Sequence, residues 1–142
     1  SGRKTTTQFR RTDSAAGMDS FKRINDAFGH PVGDKVLAKV AEICLATLRC
    51  TDLFGRIGGE EFAAILTGTD VKGTKVIAER LRRNIQEAAI DTLETITVSL
   101  SVSIGVATYQ PTNDSLSSLM LRADTALYAA KSCGRNQVCV NQ

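Results

Sequence analysis

Leu53-Phe54-Gly55-Arg56-Ile57-Gly58-Gly59-Glu60-Glu61-Phe62-Ala63-Ala64-Ile65-Leu66 is the stretch that decides the fold. Two short apolar segments, about 53–57 and 61–66, flank a Gly-Gly step, and that pattern predicts a β-hairpin. Gly58 and Gly59 let the backbone turn with positive φ and come close to a ligand. Glu60 and Glu61 stand side by side at the tip, where two acids are costly unless water or a cation neutralises them. The plain alternative is a solvated turn.

Helical patterns surround this hairpin. Phe21, Ile24 and Phe28 lie at i, i+3 and i+7 over 18–29, with Gly29 as a stop. A second helix is expected over about 34–49, capped by Asp34 and burying Val36, Leu37, Val40, Ile43, Cys44 and Leu48. A third covers about 71–89, with Ile77, Leu81 and Ile85 at every fourth residue. Residues 95–107 alternate: Ile96, Val98, Leu100, Val102, Ile104 and Val106 face one way, with small polar residues between them. A last helix over 115–132 ends at Gly134, and a strand around Gln137–Val140 closes the order α-α-β-β-α-β-α-β. Helices mixed with a largely antiparallel sheet make this an α+β domain.

The chain has 142 residues, 42% apolar and 23% charged, with two prolines, which is the composition of one globular domain. No apolar run approaches the length of a membrane span, and no apolar leader opens the chain. The net charge of +3 is uneven. Residues 1–11 carry Arg3, Lys4, Arg10 and Arg11 and no acid, leaving 14 bases against 15 acids elsewhere. Residues 1–17 are therefore expected as a basic, poorly patterned arm and 18–142 as the folded domain. Such a tail has the charge to touch nucleic acid or anionic lipid, but a solvated arm is the expected reading, with no nucleic-acid or membrane partner. Cys44, Cys50, Cys133 and Cys139 show no C-x-x-C spacing, and there is one histidine, so reduced cysteines of a cytoplasmic domain are expected rather than a zinc site.

Three further constellations carry chemistry. Asn25 and Asp34, on either side of Gly29-His30, have the donors and acceptors that read a guanine edge; singly they are a turn residue and a cap. Arg49-x-x-Asp52 lies just before the hairpin and can clamp phosphate and purine together, or form a surface ion pair. Lys131 and Arg135 sit near the end of the last helix, suited to triphosphate oxygens or to the helix dipole.

Taken together, Phe21-Lys22-x-Ile24-Asn25-Asp26 with Gly29-His30, the Gly-Gly-Glu-Glu-Phe hairpin, Ser101-x-Ser103-Ile104-Gly105-Val106-Ala107 and Gly134-Arg135-Asn136 resemble the GGDEF (diguanylate cyclase) family over about Met18 to Val138. The resemblance implies a palm-like, nucleotidyl-cyclase-type sheet flanked by helices. It implies condensation of two GTP into cyclic di-GMP by a homodimer, with Mg2+ or Mn2+, under a sensory or phosphodiesterase domain outside this chain. Glu60 would be a metal ligand beside the Met18 carbonyl, and Glu61 a neighbouring acid. Asn25 and Asp34 would read guanine, and Lys22, Lys131 and Arg135 would hold phosphates. Gly58 and Gly59 would let the nucleotide lie on the hairpin. Arg49, Asp52 and Arg80 would form an inhibitory product site. The chain departs from the family's Asp-x-Asp-x-Phe-Lys in reading Gly17-Met18-Asp19-Ser20-Phe21-Lys22, so the first metal-ligating aspartate is Gly17. That departure implies weakened metal binding and leaves a second reading open: an impaired domain that binds cyclic di-GMP or GTP as a regulatory module.

Overall fold

The computed structural model describes residues 4–12, 21–58, 61–91, 97–110 and 115–141. Its elements are β1 (Lys4–Thr12), α1 (Phe21–Phe28), α2 (His30–Thr47), β2 (Leu53–Gly58), β3 (Glu61–Thr67), α3 (Val71–Glu87), β4 (Ile90–Asp91), β5 (Thr97–Val98), β6 (Ser101–Thr108), α4 (Leu116–Ser132) and β7 (Val138–Asn141). Five strands form one sheet in the order β2-β3-β1-β6-β7, and β4 and β5 form a separate pair. All pairings are antiparallel except β6 with β7, which α4 joins by a crossover. The expected α+β architecture with a mostly antiparallel sheet is the one observed.

The core lies chiefly between one face of the sheet and α2 and α3. Val36, Val40 and Cys44 of α2 meet Ala78, Leu81 and Ile85 of α3 over Val102, Ile104 and Val106 of β6. The opposite face is covered by α4, whose Leu119 and Ala123 pack with Ala107. The helix lies so close that a Cβ on Gly105 would collide with Ala123 O and with Leu127 N. A glycine there is a condition of helix-on-sheet contact.

Four expectations need correction. Residues 4–12 are not part of an unpatterned arm: they form β1, the middle strand, bonded to β3 on one side and β6 on the other. The β-branched run Thr5-Thr6-Thr7 carries that propensity into the strand. Asp34 does not cap α2. The helix starts a turn earlier, with Gly29 (φ 87) at its N-cap and a proline in its first turn, and Asp34 is exposed within it. The alternating stretch is not one strand but two, interrupted at Ser99-Leu100, with β5 paired to β4. Within β6 every residue from Ser101 to Ala107 is buried, because helices cover both faces. The alternation there separates large side chains on the α2/α3 face from small ones under α4, not core from solvent. The element order consequently gains β1, β4 and a divided strand.

α3 and α4 follow their local signals. Asp70 caps α3 by accepting from Gly73 N at 2.8 Å. Ser115 and Ser118 cap α4 reciprocally, at 2.9 and 3.2 Å. No helix among the described residues is long and apolar enough to cross a membrane.

Candidate active site

The hairpin is tied to the core by aromatic packing. Phe62 is 2% exposed and stacks on Phe54, ring centroids 5.5 Å apart and nearly parallel. A register shift between Arg56 and Gly58 bends β2 just before the tip. Gly58 ends β2 and Glu61 opens β3, paired with each other and with Arg10 of β1 next in register. Gly59, Glu60, Gly17 and Met18, four positions central to the expected metal site, lie outside the described residues, and so does the side chain of Lys22. Among the described residues no three His, Cys, Asp or Glu side chains group to hold a metal.

The α1–α2 corner carries the two candidate base contacts. Gly29 N donates to Asn25 O at 2.7 Å and Gly33 N to Gly29 O at 3.2 Å, so the chain turns between Asn25 and Asp34. Asp34 is exposed, whereas Asn25 Oδ1 is buried and has no hydrogen-bond partner among the described residues. A buried amide oxygen left so is costly, and a donor from a bound base would satisfy it.

Lys131 lies in the last turn of α4, and Arg135 in the turn that follows. Gly134 (φ 115), Arg135 (φ 65) and Asn136 (φ 46) are successive left-handed residues. For Arg135 this costs about 1–2 kcal/mol, and less for Asn136, since asparagine adopts this conformation readily. Arg135 N donates to Ala130 O at 2.9 Å, and Gln137 Nε2 donates to Cys133 O and Arg135 O at 2.9 and 3.1 Å. Arg82 of α3 reaches across and donates from Nη1 to Asn136 Oδ1 at 3.0 Å. Nothing near Arg82 in sequence signals this contact, which spans 54 positions.

Arg49 and Asp52 do come together. Arg49 Nε and Nη2 donate to the two Asp52 oxygens at 3.2 and 2.9 Å, and Arg49 N donates to Oδ2 at 2.8 Å. Nη2 also reaches Thr67 O at 3.1 Å and Thr69 Oγ1 at 2.7 Å, two partners the sequence did not suggest. The Asp52 side chain is fully buried while that of Arg49 is half exposed. The hydrogen bond with Asp52 raises the Arg49 pKa further above its ordinary value. Arg80 lines an open cleft with Lys39, Thr47, Asn84 and Glu87 between α2 and α3, and Arg49 lines a separate recess with Gly68, Thr69 and Asp70. The structure therefore joins Arg49 to Asp52 and places Arg80 with Thr47 in the α2/α3 cleft.

Comparison with known proteins adds identity. Residues 15–137 match the family model described as diguanylate cyclase, GGDEF domain. The chain is 41% identical over 124 residues to a probable diguanylate cyclase, DgcT, of Escherichia coli, covering 87% of this chain and 27% of that protein. It is 39% identical over 125 residues to diguanylate cyclase A of Treponema denticola, covering 88% of this chain and 33% of that protein. The chain thus spans about a third or less of these relatives. Among solved structures, the GGDEF domain of DgcB from Caulobacter crescentus in complex with c-di-GMP superposes with a TM-score of 0.88 at 30% identity, over 99% of this chain and 78% of that one. Diguanylate cyclase SiaD of Pseudomonas aeruginosa, in complex with its activator SiaC, gives 0.87 at 32% identity, over 97% of this chain and 50% of that one.

Proposed function

The chain belongs to the GGDEF-domain family of diguanylate cyclases, and from this we propose that it binds GTP along its hairpin edge and condenses two GTP into cyclic di-GMP. The observation that carries the reading is Asn25 Oδ1, buried at the α1–α2 corner and without a hydrogen-bond partner among the described residues. Asn25 and Asp34 read the guanine. Gly58 and Gly59 let the nucleotide lie against the hairpin. Lys22, Lys131 and Arg135 hold the phosphates, their charge offsetting that of the triphosphate. Two copies, each with one GTP, face each other. The 3′-oxygen of each nucleotide bonds to the α-phosphorus of the other, its proton is lost, and pyrophosphate leaves.

A divalent cation is part of this reading. Its donors would be Glu60 and the Met18 carbonyl, with Glu61 adjacent. One carboxylate and one carbonyl fit Mg2+ or Mn2+ completed by water and the substrate's own phosphates, because Mg2+ commonly keeps such partners. A bound cation would lower the pKa of the 3′-hydroxyl and neutralise the triphosphate. Gly17 contributes no side-chain oxygen, and losing one electrostatic group of this kind commonly costs about 10²–10³ in rate. Incubation with GTP and Mg2+ or Mn2+, followed by chromatography for cyclic di-GMP, tests turnover. Gly17→Asp should raise the rate. No product from either protein would sink the cyclase reading.

A second reading has its own observation in the preformed Arg49–Asp52 pair. In it the domain binds cyclic di-GMP as a regulatory module, with Arg80 a candidate third contact. Regulatory or phosphodiesterase domains would lie outside the region covered. A cytoplasmic setting fits the four free cysteines.

A further inference from the structure

We infer that Arg82 is a positioning residue for Arg135: it pins the α4–β7 turn in the left-handed conformation that presents Arg135 to the triphosphate. The inference rests on the proposed reading of Arg135 as a phosphate-holding residue. Consecutive left-handed residues that are not glycine persist only where the surroundings over-determine them. Here the backbone bond from Arg135 N to Ala130 O and the Gln137 side chain act within the turn itself. Arg82 acts from another helix. Its guanidinium is fixed before it reaches the turn: Nε and Nη2 both donate to Glu79 Oε2, at 3.3 and 3.1 Å, and Nη1 donates to Gln86 Oε1 at 3.2 Å. The side chain is 17% exposed, so its rotamer is set by packing as well. With three of its bonds committed along α3, the fork can satisfy Asn136 Oδ1 only if the turn keeps its present conformation. Asparagine suits the position, since it tolerates positive φ and offers the acceptor.

A purely architectural Arg82 would anchor β7 to α3 and leave every guanine ligand equally affected. A positioning role acts on the triphosphate alone. The test uses the full chain with Mg2+ and compares affinities for GTP and for guanosine monophosphate, by competition against a fluorescent GTP. Arg82→Ala removes the fork. Asn136→Gly keeps the left-handed backbone and removes the acceptor. Each should weaken GTP about three- to tenfold, a partial loss because the Arg82–Asn136 bond positions Arg135 and does not itself touch the nucleotide, and leave guanosine monophosphate unchanged. The double variant should be no weaker than either single one. Equal losses for both nucleotides, or an unchanged GTP affinity while Arg135→Ala loses it, would overturn the inference and leave the functional reading standing. If Arg135→Ala itself binds GTP normally, the turn holds no phosphate, and the inference falls together with that part of the functional reading.

Discussion

Arg49 Nη2 donates to Thr69 Oγ1 at 2.7 Å, joining the turn before β2 to the turn that leads into α3. The arginine proposed to bind cyclic di-GMP is thus also a strut, and the two roles can be separated. Thr69→Val removes that bond and leaves the Arg49–Asp52 pair and the bond from Arg49 Nη2 to Thr67 O. It should change cyclic di-GMP affinity little. Arg49→Ala should abolish measurable binding in titration calorimetry. Asp52→Ala should cost about 1–3 kcal/mol in urea unfolding, because the Arg49 backbone amide and guanidinium lose a buried acceptor. Unchanged cyclic di-GMP affinity in Arg49→Ala would remove the product-site reading.

Asn25 carries a signature of opposite signs. Its buried oxygen has no hydrogen-bond partner among the described residues, and an acceptor left so costs stability in the ligand-free protein. Asn25→Ala should therefore leave ligand-free stability unchanged or raise it by about 1 kcal/mol, while GTP affinity falls about tenfold. Preference for GTP over ATP should fall with it. Thermal unfolding and nucleotide titration on the same two proteins decide. A variant that loses stability and keeps its GTP affinity would make Asn25 a packing residue.

Gly105 is held by close contact rather than by conformation. Its Cβ position is occupied by the Ala123 carbonyl and the Leu127 backbone, which cannot swing away as a side chain could. Gly105→Ala should cost about 2–4 kcal/mol, read as a lower urea midpoint, since α4 must lift from the sheet. Leu127→Ala would not rescue it, because the obstruction is main chain. A near-neutral effect would mean that α4 packs more loosely than the structure indicates.

What the sequence disclosed follows the range of the interactions. The hairpin was legible because a Gly-Gly step between apolar runs is a local signal, and α3 and α4 because period and caps agree. Asp34 misled because a residue that resembles a cap stood four positions beyond the true start, where Gly29 and Pro31 do the work. β1 escaped notice because Lys4–Thr12 carries little apolar alternation, and its central place is set by partners 51–63 positions away in β3 and 89–103 away in β6. Arg49 and Asp52 were found because they lie three residues apart. Thr69 and Arg82 were not, since each meets its partner only after the sheet and α3 are assembled.

Cys44 makes the stability of the domain depend on alkaline pH. It sits in the core with Val40, Leu81 and Ile85, and burial pushes its thiol from 9.0 up to about 12. Below pH 9 the thiol is protonated in both folded and unfolded chains and contributes no pH dependence. Between pH 9 and about 12 the unfolded chain gives up the proton first, so the native state binds more protons and stability falls as pH rises. The full effect, reached near pH 12, is of order 4 kcal/mol. Other groups titrate in that range as well, so the measurement is a difference: urea midpoints of the wild-type chain and Cys44→Ala from about pH 8 to about pH 10.5. The wild type should decline more steeply above pH 9, and the two curves should run parallel below it. Thiol labelling gives an independent check. Exposed Cys50 and Cys133 should react with the native protein, and Cys44 only once the core opens. Parallel curves throughout, together with rapid labelling of Cys44, would show that water already reaches the space between α2 and α3.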